Sequence, residues 1–221
     1  MKYGETAFDI FYLAYAIFAG IRILQNRRDE IGKLMGSAVL ILGCGDAFHL
    51  IPRILNYFIS RDWTAWLGFG KLVTSITMTV FYLILYRLWL SVFGEKEKPK
   101  LSLSVYVLSI LRIILCLLPQ NRWLQNDSPM VWAIIRNIPF VVLGGIDVYL
   151  FYRKRNAYSC FRSVWLLITL SFLFYIPVAV ASSLLPMLGM LMLPKTVCYM
   201  FLILVFLRCS YQKKDGSFSE T

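Results

Sequence analysis

Apolar positions along the chain gather into seven blocks of about twenty residues, divided by short polar connections. A helix on the surface of a soluble domain keeps a polar face at every turn, whereas these blocks run through several turns with few charges, as expected of helices surrounded by lipid. The blocks predict spans over 7–25, 33–57, 66–90, 101–119, 130–152, 162–185 and 187–207. The last two are joined through Leu184, Leu185, Pro186 and Met187, which requires a tight hairpin. The predicted class is therefore all-α: a polytopic transmembrane helical bundle with seven spans. The pattern predicts a single seven-helix domain over 1–208 and a short disordered cytoplasmic tail over 209–221.

Charge sets the expected orientation. Lys and Arg crowd the first, third and fifth connections and the tail, as in Arg27, Arg28, Lys96, Lys98, Arg153 and Lys154, whereas the other side carries only Lys2, Arg61 and Arg122. Positive-inside bias places the N-terminus outside and the C-terminus in the cytoplasm. The formal net charge of +11 is then a consequence of topology, and no nucleic-acid partner is implied. The expected partner is the lipid bilayer, and the expected location is the plasma membrane. No basic segment precedes a short apolar stretch with a cleavage site, so the first block reads as a retained helix.

The five cysteines, Cys44, Cys116, Cys160, Cys198 and Cys209, are odd in number and lack metal-ligand spacing. They read as small thiols without a disulfide framework, and no metal site is expected. Nucleotide loops, Ser/His/Asp elbows and fixed-period repeats are not found, so the sequence names no cofactor and no catalytic residue.

The chemistry lies in charges inside the spans. A charge near the bilayer centre costs about 2.5–3.5 kcal/mol on insertion scales, so Arg53, Lys71, Arg112, Arg136 and Lys195 should point inward, toward acids or water. In the second span Asp46, His49 and Arg53 share one helical face, with Pro52 able to bend the helix and Gly43 and Gly45 admitting a neighbour. In the third, Lys71, Thr74, Ser75 and Met78 repeat at helical period. Tyr199 follows Lys195 by one turn in the seventh. Helical rise puts Asp46, Thr74 and Lys195 at a common depth, about 20 Å from their cytoplasmic ends, which makes Asp46 and Lys195 candidates for an ion pair. Arg53 and Lys71 lie nearer the outer surface, where they can snorkel. Asp147 falls in the cytoplasmic half, where Tyr149 and the Arg153 cluster should solvate it.

These positions predict an outward-facing, cation-rich intramembrane pocket for a small anionic or amphipathic ligand, as in a receptor or small transporter. Its expected ligand-binding residues are Asp46, His49, Arg53, Lys71, Thr74, Ser75, Arg112, Arg136, Lys195 and Tyr199. Histidine, which titrates near neutral pH, would supply a pH-sensitive element. One alternative is an intramembrane lipid-modifying hydrolase using Asp46 and His49; Gly45 and Asp46 resemble a feature of the lysoplasmalogenase family, although the distances between polar spans and the lack of a second histidine depart from it. Another is an opsin-like retinal protein, since Lys195 midway through a seventh span resembles the opsin plan. The chain departs from that plan at Leu191, where the microbial pattern has an aspartate, and in the third span, which has no acidic counterion.

Overall fold

The computed structural model describes residues 2–181 and 185–211. Seven long helices form: α1 (Lys2–Asn26), α2 (Glu30–Phe58), α3 (Thr64–Phe93), α4 (Pro99–Leu117), α5 (Met130–Arg153), α6 (Val164–Ala181) and α7 (Met192–Tyr211). Seven candidate spans, from Lys2–Asn26 to Met187–Tyr211, are long and apolar enough to cross a bilayer. The chain is thus an all-helical bundle compatible with an integral membrane protein, and no strand forms among the described residues. Of the tail expected over 209–221, residues 209–211 belong instead to the end of α7, whereas 212–221 and the hairpin tip at 182–184 lie outside the described residues.

Local signals explain the helix ends. Asp29 caps α2 by accepting the Gly32 N–H at 2.8 Å, and Asp62 accepts the Thr64 N–H ahead of α3. Hydrogen bonds from Thr64 hold the Asp62 carboxyl below the usual carboxylate range. Helix α3 ends at Gly94, whose φ of 59° is the left-handed conformation that a side chain disfavours. Pro99 opens α4 at a position where its missing N–H costs nothing.

The last helix begins later than hydropathy suggested. Pro186–Leu191 forms a 3-10 turn, and α7 starts at Met192, with Pro194 in its first turn. Hydropathy sums side chains and is blind to this change in backbone winding, whereas a proline fits a helix's first turn, where N–H groups lack partners anyway.

Neighbouring helices run antiparallel and pack in sequence order, with α1 closing against α7. Arg53 near the end of α2 reaches Glu5 at the start of α1, and Asn26 at the end of α1 donates to Ser210 at the end of α7. Close packing between α2 and α3 depends on missing side chains: a Cβ on Gly45 would strike Thr77, and one on Gly70 would strike the Phe48 carbonyl. The Phe48 carbonyl is the one that Pro52 leaves without its helical N–H partner. The core centres on α3, where Phe81, Tyr82, Leu85 and Tyr86 are buried.

Two expectations are corrected. Cys160 and Cys209 form a disulfide that ties the 3-10 turn before α6 to the end of α7, with Cα atoms 5.8 Å apart. The two are 49 residues apart in sequence, so only the return of α7 beside that turn reveals the pair. Asp147 is 0% exposed, and neither carboxylate oxygen has a hydrogen-bond partner. Tyr149, the residue expected to solvate it, points elsewhere and is exposed, because two residues along a helix is about 200° of rotation.

Candidate functional site

A cavity of about 480 Å³ opens among α2, α3, α4, α5, α6 and α7, near the end of the bundle that holds the α4–α5 connection. Helical periodicity builds its first wall: Lys71, Thr74, Ser75 and Met78 of α3 all line it. Thr74 and Ser75 meet their hydrogen-bonding needs locally, donating to the Gly45 carbonyl at 3.1 Å and the Lys71 carbonyl at 2.8 Å. Each hydroxyl spends its single proton in these bonds and keeps acceptor capacity alone.

Arg112 of α4 is 1% exposed and fully engaged in structure. Its Nε donates to Thr79 at 3.0 Å, and its Nη1 donates to the Arg136 carbonyl at 2.6 Å and to Asn137 Oδ1 at 2.9 Å. The guanidinium also lies 3.9 Å from the Phe140 ring centroid. Tyr175 of α6 donates to the same Asn137 oxygen at 2.8 Å, so one asparagine joins α4, α5 and α6.

Arg136 belongs to a second network that folds the α4–α5 connection over the cavity. Its Nη1 donates to Asn121 Oδ1 at 2.7 Å and to Ser128 Oγ at 3.2 Å, and its guanidinium stacks 4.3 Å from the Trp123 ring centroid. Asn121, 0% exposed, donates to the Leu115 and Leu118 carbonyls and so satisfies acceptors that the end of α4 leaves open. The Trp123 indole donates to the Cys116 carbonyl at 2.7 Å. Gly68 of α3 lets this connection approach, since a Cβ there would strike the Trp123 carbonyl.

Lys71 and Lys195 differ from the two arginines. Among the described residues neither has a carboxylate within ion-pair distance. Lys195 rests on aromatic faces instead, 4.9 Å from the Tyr175 centroid and 5.4 Å from that of Tyr199. Four basic side chains line the cavity against one carboxylate, Asp127, which has no ion pair among the described residues. Met78, Phe140, Val178 and Met192 add apolar surface to the same cavity. His49 contributes from α2, with Nδ1 buried and unpartnered.

Of the ten sequence-predicted site residues, seven share this cavity: His49, Lys71, Thr74, Ser75, Arg112, Arg136 and Lys195. Asp46 does not line it and makes no ion pair with Lys195; its carboxylate accepts the Tyr12 hydroxyl proton at 2.7 Å, toward α1. Arg53 also turns to α1, pairing with Glu5 at 3.2 Å and approaching Asp9 at 3.9 Å, with Tyr57 donating to the same Glu5 oxygen. Tyr199 is buried against Tyr82, hydroxyl to hydroxyl at 3.1 Å.

No protein-family model, curated protein or solved structure matches the chain. The site is therefore read from its own chemistry. Asn121, Asn137 and Trp123 escaped the sequence reading because a search for charges passes over neutral amides and indoles. Asn137 stood beside Arg136 in an apolar span, and that adjacency was the available signal.

Proposed function

We propose that this membrane protein binds a small anionic amphipathic molecule in the cavity, as a receptor or transporter does, with the cavity facing outward. The observation that carries the reading is the pair Lys71 and Lys195: two cations, from α3 and α7, that line one cavity with no ion pair among the described residues, together with apolar side chains. A cation without a countercharge is unfavourable at membrane depth, as for the half-buried Lys195, and an anionic group entering between it and the more exposed Lys71 would offset that cost. Arg136 of α5 would hold the same anion, since among the described residues it donates through Nη1 alone. Met78 and Phe140 would take its apolar part.

Dodecyl phosphate and dodecanol separate charge recognition from apolar burial. Dodecyl phosphate should raise the unfolding temperature of the detergent-solubilised protein, and dodecanol should do so far less. Each charge-assisted contact is worth about 1.5–3 kcal/mol, so Lys71→Met with Lys195→Met should weaken dodecyl phosphate binding by about a hundredfold or more. Equal effects of the two compounds, or equal affinity in the variant, would remove the basis of the proposal.

His49 favours a second reading. Its imidazole ring lines the cavity and could take a proton from a water attacking a bound ester, with the cations holding the acyl or phosphoryl oxygen. Hydrolysis of a bound ester by the intact protein, lost in His49→Gln while anion binding persists, would move the assignment to an enzyme.

A further inference from the structure

A second cavity, of about 510 Å³, lies at the opposite end of the bundle and shares no residue with the first. Its floor is apolar: Leu90 of α3, Leu101 of α4, and Val142, Ile146 and Leu150 of α5. Its rim is basic, with Lys96 and Lys98 from the α3–α4 connection and Arg153 and Lys154 from the end of α5.

The groove between floor and rim is a consequence of sequence. Val142, Gly145, Ile146, Tyr149 and Arg153 recur at spacings of three and four, so they form one stripe along α5. Gly145 has no side chain, and a Cβ built there would meet nothing within 4 Å, which leaves a channel at the middle of the stripe. From Val142 to Arg153 the stripe runs about 16 Å along the helix, ending at the basic rim. The apolar stretch sits within a candidate span, and Val142 and Tyr149 are 47% and 58% exposed, so the groove opens sideways to where lipid lies.

The rim has cations to spare. Lys154 pairs with Glu95 at 2.6 Å, and this contact holds the Glu95 carboxyl below the usual carboxylate range. Lys96, Lys98 and Arg153 have no ion pair among the described residues. The Arg153 guanidinium lies 5.8 Å from the Tyr149 centroid, at the junction of rim and groove. A phosphate at the end of a hydrocarbon chain is the chemistry complementary to a cationic rim over an apolar channel in a span.

We propose that the groove between α3, α4 and α5 is a binding site for an anionic phospholipid, its phosphate held by Lys96, Lys98 and Arg153 and an acyl chain laid along the Gly145 channel. This site is independent of the ligand assigned to the first cavity.

The test uses the detergent-solubilised full chain carrying Lys71→Met and Lys195→Met, so that binding at the first cavity does not contribute. Native mass spectrometry with equimolar dioleoyl phosphatidylglycerol and dioleoyl phosphatidylcholine should show the anionic lipid retained in excess. A basic residue beside an anionic surface is worth about fivefold in affinity, so Lys96→Gln, Lys98→Gln and Arg153→Gln together should reduce retention of phosphatidylglycerol at least tenfold. Gly145→Leu should block the channel and lower retention with the rim intact. All three rim positions are exposed, so their replacement leaves the fold in place and the test does not depend on the Gly145 variant alone. Equal retention of the two lipids, or retention unaffected by the rim variant, would overturn the site. Displacement by glycerol 3-phosphate at the same concentration would overturn the lipid assignment in favour of a soluble anion.

Discussion

The Lys195 ammonium lies 4.9 Å from the centre of the Tyr175 ring, and Tyr175 in turn donates its hydroxyl proton to Asn137. A cation of α7 is thus supported by the face of a ring whose edge is fixed by the α4–α5–α6 network. The support is modest, about 0.5–2 kcal/mol for a cation on an aromatic face, and supplies no countercharge. Lys195 is therefore positioned by the fold, with no ion pair among the described residues.

The two classes of cation should separate in stability measurements. Lys71→Met with Lys195→Met removes no ion pair among the described residues and the two aromatic contacts of one ammonium, so the ligand-free protein should change by no more than about 2 kcal/mol. Thermal unfolding in detergent checks this, and a large loss would show that both lysines have structural partners.

Asn137 should behave in the opposite way. Asn137→Leu deprives the Arg112 guanidinium and the Tyr175 hydroxyl of a shared buried acceptor, at a cost of about 1.5–3 kcal/mol. The variant should unfold at lower temperature even without ligand. An unchanged midpoint would mean that Arg112 is held by Thr79 and the Arg136 carbonyl alone.

The Cys160–Cys209 bridge closes a 49-residue separation across α6 and α7. Chain-entropy arguments set an upper bound of about 4 kcal/mol on its contribution, reduced where the membrane already confines the unfolded chain. Reductant should lower the unfolding temperature of the native protein and leave Cys160→Ser with Cys209→Ser unaffected. The same response in both proteins would argue against the bridge.

The spans were legible because a bilayer demands uninterrupted apolar length, and the α3 wall because helical period survives any tertiary context. Partners were less so. Arg53 was placed beside Asp46 and His49 on its own helix, but its partner Glu5 precedes the first apolar block, and α1 extends backward to Lys2 to meet it. The matched depth of Asp46 and Lys195 was a statement about one axis only. Rotation about that axis turns Asp46 to Tyr12, and sequence periodicity within one helix cannot fix its angle relative to another. The roof over the cavity was invisible for a related reason: Asn121 and Trp123 sit in a connection with no period at all, and they act through backbone carbonyls at the end of α4.

The most direct test is to ask what the cavity retains. Protein purified gently from its membrane, extracted and analysed by mass spectrometry, should yield a bound anionic amphiphile. That compound should be lost from the Lys71→Met, Lys195→Met variant and kept by the Lys96→Gln, Lys98→Gln, Arg153→Gln variant. Recovery of the same anionic compounds in equal amounts from wild type and the Lys71, Lys195 variant would contradict an anion-binding cavity.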